Sequence, residues 1–198
     1  MRRSARLLSA IFLLAGSAAS AADETPQPPI QLSYTPWVKF CLKGQDANAA
    51  KQVCFTGKDG RNESGQPVIA AVFIEPEGEP KKTFRVTLPL GMQLVHGTRV
   101  IIDSHAPAQS PYVICFANGC MSDYEATPEL IANLKEGKNV IVQAINSNGA
   151  PLTLVLPLDN FAAAYDGPAT DPKTWEEQQK KALKPVLDDT LAPRYRPK

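Results

Sequence analysis

The clearest periodicity in the chain is a period of two. From Thr83 to Leu90, Phe84, Val86, Leu88 and Leu90 share a face opposite Arg85 and Thr87, the pattern of a strand with one wet side. Leu152, Leu154, Leu156 and Leu158 repeat it; that run and Asn139 to Ile145 flank Asn146-Ser-Asn-Gly-Ala-Pro151, which predicts a hairpin. Pro67 to Ile74 is apolar on both faces, with Val68, Ala70, Val72 and Ile74 on one and Ile69, Ala71 and Phe73 on the other. It predicts a central strand covered on both sides. Leu32 to Leu42 is aromatic-rich and partly alternating, and Pro36 restricts it to an edge or a bulge. Gln52 to Thr56 predicts the strand that returns beside it, and Gly57 to Gln66, polar and holding three glycines, a hairpin loop. Thr98 to Asp103 predicts a further strand, and the apolar run ending at Cys115 another. One short helix opens at Thr127-Pro128-Glu129, where Thr127 can cap and Pro128 suits the first helical position. Leu130, Ile131 and Leu134 give it an apolar stripe, and Gly137 ends it. Strands spaced by about ten residues with turns between them predict an all-β sandwich.

The two ends of the chain break this pattern. Arg2, Arg3 and Arg6 precede an apolar run from Leu7 to Gly16, and Ala19-Ser20-Ala21 supplies the small residues of a cleavage site, so residues 1–21 predict a signal peptide. Residues 22–31 form a proline-rich leader, and residues 32–165 are the expected domain. From Asp166 to Lys198 the composition becomes charged and proline-punctuated. Within it Pro172 to Lys184 is a possible helix capped by Asp171, with Trp175 and Leu183 at compatible positions. Trp175 is the one large apolar side chain expected to stand exposed in this extension, which makes it a candidate partner-binding residue.

Export changes the charge balance. The whole chain has 21 basic and 20 acidic residues; without the three signal arginines, 18 basic residues face 20 acidic ones, a net charge of −2. Such a surface offers no electrostatic footprint for nucleic acid, and no stretch approaches the length of a transmembrane helix.

An even number of cysteines in an exported chain favours disulfides. Cys41, Cys54, Cys115 and Cys120 allow three connectivities, and proximity favours 41–54 with 115–120. Asn118-Gly119 readily takes the positive φ angles of a tight turn and brings the second pair together. Neither spacing is that of a zinc finger or a C-x-x-C redox motif, and no metal or cofactor is expected. Asp103-Ser104-His105 contains all three residue types of a hydrolase triad, but adjacent residues do not ordinarily converge in that geometry and no G-x-S-x-G elbow is present. His96, in a turn, is the other histidine. No coherent catalytic set emerges.

An ordered set of short motifs remains: Trp37-x3-Cys41, Cys54, Leu88-Pro-Leu-Gly91, Tyr112-x2-Cys115-x3-Gly119-Cys120, Leu134-Lys-Glu-Gly137, and Leu156-Pro-Leu-x2-Phe161-x3-Tyr165. Together, from about Tyr34 to Tyr165, they resemble the invasion-associated locus B family of proteobacterial exported proteins. The resemblance implies an immunoglobulin-like β-sandwich and a periplasmic, outer-membrane-associated or secreted location, with a link in pathogens to invasion of host cells, notably red blood cells. It carries over no catalytic residue. The expected function is therefore that of a non-enzymatic envelope or host-interaction protein whose sandwich presents loops to a protein, envelope or host-surface partner. A periplasmic accessory or chaperone-like role, with the tail docking to another protein, is the alternative, and a hydrolase acting through His105 a third.

Overall fold

The computed structural model describes residues 31–43 and 51–177; the predicted signal segment, nearly all of the leader and the chain from Gln178 onward lie outside it. Among the described residues, eleven strands fall into two antiparallel sheets. They are β1 (Ser33–Tyr34), β2 (Val38–Lys43), β3 (Gln52–Arg61), β4 (Pro67–Pro76), β5 (Thr83–Leu88), β6 (Thr98–Ile102), β7 (Ala108–Ser110), β8 (Tyr112–Phe116), β9 (Gly119–Glu125), β10 (Asn139–Ile145) and β11 (Pro151–Pro157). Seven strands form the larger sheet, ordered β1-β3-β4-β5-β9-β8 with β2 also on β3, and four form the smaller, ordered β11-β10-β6-β7. The fold is the all-β sandwich that the strand spacing predicts, of the immunoglobulin-like kind that the resemblance implies.

The core lies between the sheets. Phe73, Phe84, Val86 and Leu88 of the larger sheet and Val140, Val142, Leu154 and Leu156 of the smaller are fully buried. Helix α1 (Pro128–Glu136) starts as its sequence predicts: Thr127 Oγ1 accepts the Leu130 amide at 3.2 Å, and Leu134 faces the core. At one margin Tyr34, Trp37 and Lys58 reach across the sandwich. The Tyr34 hydroxyl donates to the Val155 carbonyl at 2.9 Å, while Trp37 Nε1 and Lys58 Nζ both donate to that of Pro157 at 3.0 Å. Burial lowers the Lys58 pKa, and its ammonium lies 5.6 Å from the Tyr34 ring centre and 5.9 Å from that of Trp37, which compensates for lost hydration.

Several expectations are corrected. Leu32 to Leu42 is two strands rather than one. Pro36 contributes no N–H, and beside it Trp37 turns inward to its carbonyl partner on β11. The loop expected from Gly57 onward is instead the second half of β3, and the turn is confined to the residues between Arg61 and Pro67. Thr35 holds this half in place: its hydroxyl accepts the Asp59 amide at 3.0 Å and donates to the Asp59 carboxylate at 2.5 Å. Gly60 gives up its side-chain space to Tyr34, whose ring lies 3.1 Å from where a Cβ would sit. Strand β5 ends at Leu88 because Pro89 cannot continue the ladder, so Leu90 is 56% exposed rather than buried with Leu88. A second helix, α2 (Phe161–Asp166), has no counterpart among the elements that the sequence pattern predicts; it drives Phe161 and Tyr165 into the core.

Candidate functional site

A large hollow lies on the outer face of the seven-stranded sheet, away from the core. Strands β2, β3 and β4 are in register here: Val38 opposes Gly57, Phe40 opposes Phe55, Gly57 opposes Val72, and Asp59 opposes Ala70. Small residues at the centre, Gly57 and Ala70, leave a floor close to the backbone, and Val38, Phe40, Phe55 and Val72 rise around it. The cleft has a volume of about 720 Å³. Such a mixture of apolar walls and a few polar groups at the rim suits a ligand-binding site better than a fully solvated sheet face.

The outer face of β4 is therefore not covered, although two-sided apolarity predicts that it should be. Ile69, Ala71 and Phe73 are in the core, while Val68, Ala70, Val72 and Ile74 are only half-buried. The rim at the far end is polar. Asp59 accepts from Thr35 and pairs with Arg61 at 2.6 Å. On the adjoining strands Arg85, opposite Val72, makes a two-pronged ion pair with Asp123 at 2.6 and 2.7 Å. These opposite charges pair with one another, and the remaining lining cation, Lys58, is turned to the Pro157 carbonyl.

The fourth side of the cleft is the C-terminal extension. After α2 the chain runs back along β2: Lys39 Nζ donates to the Tyr165 and Gly167 carbonyls at 2.8 and 3.4 Å, and the Thr170 amide donates to the Lys39 carbonyl at 2.7 Å. Residues 172–177 are helical, and Asp171 Oδ1 accepts the Thr174 amide at 2.9 Å, the cap its sequence predicts. This delivers Trp175 to the cleft, where its ring meets Phe40 edge to face with centres 6.2 Å apart. Trp175 is thus half-buried and forms a wall, rather than standing free as an exposed residue. The rest of the possible helix to Lys184 lies outside the described residues.

The cysteines pair as proximity favours, Cys41 with Cys54 and Cys115 with Cys120, each pair directly opposite across neighbouring strands. The first clips β2 to β3 beneath the cleft, and Phe40, one residue before Cys41, is positioned by it. The second closes the β8–β9 hairpin, with Gly119 at φ 135° and its missing side chain filled by the Leu88 carbonyl.

Asp103, Ser104 and His105 do not assemble into a triad. Asp103 adopts φ 46°, and its two carboxylate oxygens accept the Lys138 and Asn139 amides at 2.9 Å each. It aligns the start of β10. Those amides, Lys138 first, hold its pKa below the ordinary 3.8. The folded-state value being depressed, the stability this residue contributes is present above the ordinary carboxylate range and is lost as pH falls through the folded value. The expected result is that Asp103→Ala flattens the acid limb of stability against pH below about 4, measured by urea unfolding at several pH values. His105 lies in the same exposed turn, and His96 Nε2 lies 3.1 Å from Gln93 Oε1. Among the described residues no three His, Cys, Asp or Glu side chains are grouped to hold a metal ion, and no helix is long and apolar enough to cross a membrane.

With this geometry in view, the comparisons with known proteins decide the family. A family model described as Invasion associated locus B (IalB) protein matches residues 37–169, from the inward-turned Trp37 to the stretch that leads into Trp175. The chain belongs to the invasion-associated locus B family. Invasion protein B homologues of Brucella abortus, from strain 2308 and from biovar 1 strain 9-941, are each 25% identical over 138 residues, covering 69% of this chain and 78% of theirs. The solved structure of invasion associated protein b from Bartonella henselae shares the fold, with a TM-score of 0.58 at 20% identity over 69% of this chain and 92% of that one. The matched region holds both disulfides and most of the cleft, and it stops short of Trp175.

Apart from Trp175, the side chains that line the cleft are not singled out by the sequence pattern. The signal is present in the apolar outer faces of β2 and β4, but two-sided apolarity is also what a buried strand shows.

Proposed function

We propose that this invasion-associated family member is an exported, non-enzymatic binding protein of the envelope or the host-facing surface. Its outer-sheet cleft takes apolar side chains from an extended segment of a protein partner. The observation that carries this reading is the open cleft of about 720 Å³, walled by Val38, Phe40, Phe55 and Val72 and closed by Trp175. Aromatic anchors in a desolvated hollow are where binding energy concentrates, and the ion-paired rim supplies orientation with little desolvation cost. The names of the relatives support an invasion-associated role, and the bonds of Asp103 to the Lys138 and Asn139 amides support a structural rather than catalytic duty for the acid two residues before His105.

The test uses the full mature chain and its Phe40→Glu and Trp175→Ala variants, with recovery of partners from envelope and host-membrane extracts. Phe40→Glu should lower recovery of a specific protein at least about 10-fold, or about 1.4 kcal/mol, at unchanged melting temperature. Equal recovery by wild type and Phe40→Glu would remove the cleft from the function. Because the extension supplies one wall, an accessory role with the tail docking to another envelope protein is the second reading. Truncation after Tyr165 separates the two: partner binding that persists through the cleft residues favours the first, and binding that needs the tail alone favours the second.

A further inference from the structure

The seven-stranded sheet ends on β8, which pairs with β9 on one side only. Strand β8 carries one register shift, between Tyr112 and Ile114, and no charge, whereas the edge strand β2 carries Lys39 and Lys43 and has its Lys39 carbonyl taken by the Thr170 amide. Strands β1 and β7 are two and three residues long, too short to template a neighbour. Strand β11 is longer, but its carbonyls at Val155 and Pro157 are occupied by Tyr34, Trp37 and Lys58, and prolines stand at both ends. On β8, by contrast, Val113, Ile114 and Phe116 are 52%, 43% and 55% exposed. Edge strands ordinarily carry a lysine or another charge that discourages pairing. Here no charged residue occurs from Ala106 through Ser122.

Three of the large exposed apolar side chains thus share this one strand, a concentration that marks an interaction surface.

We propose that β8 is a self-association edge, on which β8 of a second copy of this chain pairs antiparallel to extend the seven-stranded sheet. Charge favours this occupant. An antiparallel pair of identical strands sets residues near the two-fold axis against their own copies, so any charge there would meet its like. The uncharged run centred on β8 satisfies that demand, and the net charge of −2 left after signal removal adds little repulsion between copies. This surface is separate from the cleft, and its test is independent of the function proposed above.

Sedimentation velocity of the oxidised mature chain over about three decades of concentration should show a reversible monomer–dimer equilibrium. Ile114→Lys, which sets two like charges near the axis, should weaken it at least about 100-fold, while Glu129→Lys on α1 should leave it unchanged. Amide exchange across residues 111–117 should slow as the wild-type concentration rises. If Ile114→Lys also lowers the melting temperature, Phe116→Lys, at a more exposed position, replaces it as the deciding variant. A monomer at every concentration, a dimer that the lysine variants leave intact, or an edge occupied only by an added extended peptide would each overturn the second-copy assignment.

Discussion

Phe161→Ala is expected to destabilise the domain by about 3–5 kcal/mol, the cost of emptying a large aromatic site that cannot collapse. Phe161 is fully buried, and its ring centre lies 4.9 Å from that of Trp37, 5.4 Å from Phe73 and 5.6 Å from Tyr165. These rings come from the segment between β1 and β2, from β4 and from α2, so the cavity would open where three elements meet. For a domain of this size that loss corresponds to a melting temperature lowered by roughly 10–20 °C. The consequence reaches the outer face. Helix α2 sets the direction of the chain that follows it, and Lys39 holds the carbonyls of Tyr165 and Gly167. Loosening α2 should therefore free Trp175 from Phe40, read as a red shift in tryptophan emission before global unfolding. A stability loss below about 1 kcal/mol would show that α2 is not a structural plug.

The second large effect concerns the clip beneath the cleft. Replacing Cys41 and Cys54 together by Ser removes a cross-link between residues 13 apart and should cost about 3 kcal/mol on the loop-entropy estimate. The corresponding change at Cys115 and Cys120, only 5 apart, should cost about 2 kcal/mol. The two differ more in consequence than in size. Cys41 lies on β2, whose strand partner among the described residues is β3, and its neighbour Phe40 is a wall of the cleft. Loss of the first clip should thus weaken partner binding as well as stability, whereas loss of the second should leave binding intact. Denaturant unfolding of the two double variants, paired with binding of the same partner, checks both halves. Equal binding losses would mean that the cleft is not specially supported by the first bridge.

Much of the sandwich is legible in alternation alone. Phe84, Val86 and Leu88 lie in the core opposite Arg85 and Thr87, and Leu154 and Leu156 do so in the second sheet, because a half-buried strand has no other way to segregate its side chains. Cap chemistry locates the start of α1, and proximity favours, among three connectivities, the two bridges that form. What stays hidden depends on neighbours distant in sequence. The second half of β3 looks like a loop because Gly57, Lys58, Asp59 and Gly60 have weak strand preference, yet Thr35, Tyr34 and the Pro157 carbonyl hold it extended. Helix α2 is six residues long, too short for a 3.6-residue period to show. The cleft is illegible for a different reason: apolar residues on both faces of β4 do not say whether the second face meets another element or an open hollow. Trp175 stands out as a lone large apolar residue in a polar segment, but its contact with Phe40 depends on the pin between Thr170 and Lys39.

Photo-cross-linking of the protein in intact cells tests most directly whether the outer-sheet cleft is the binding surface. A photoreactive amino acid would replace Phe40 inside the cleft or Glu129 on the exposed start of α1, with adducts identified by mass spectrometry. The expected result is a discrete protein adduct from position 40, absent from position 129, and abolished when Val72→Glu places a charge in the cleft. No adduct at position 40, or the same adducts from both positions, would contradict it.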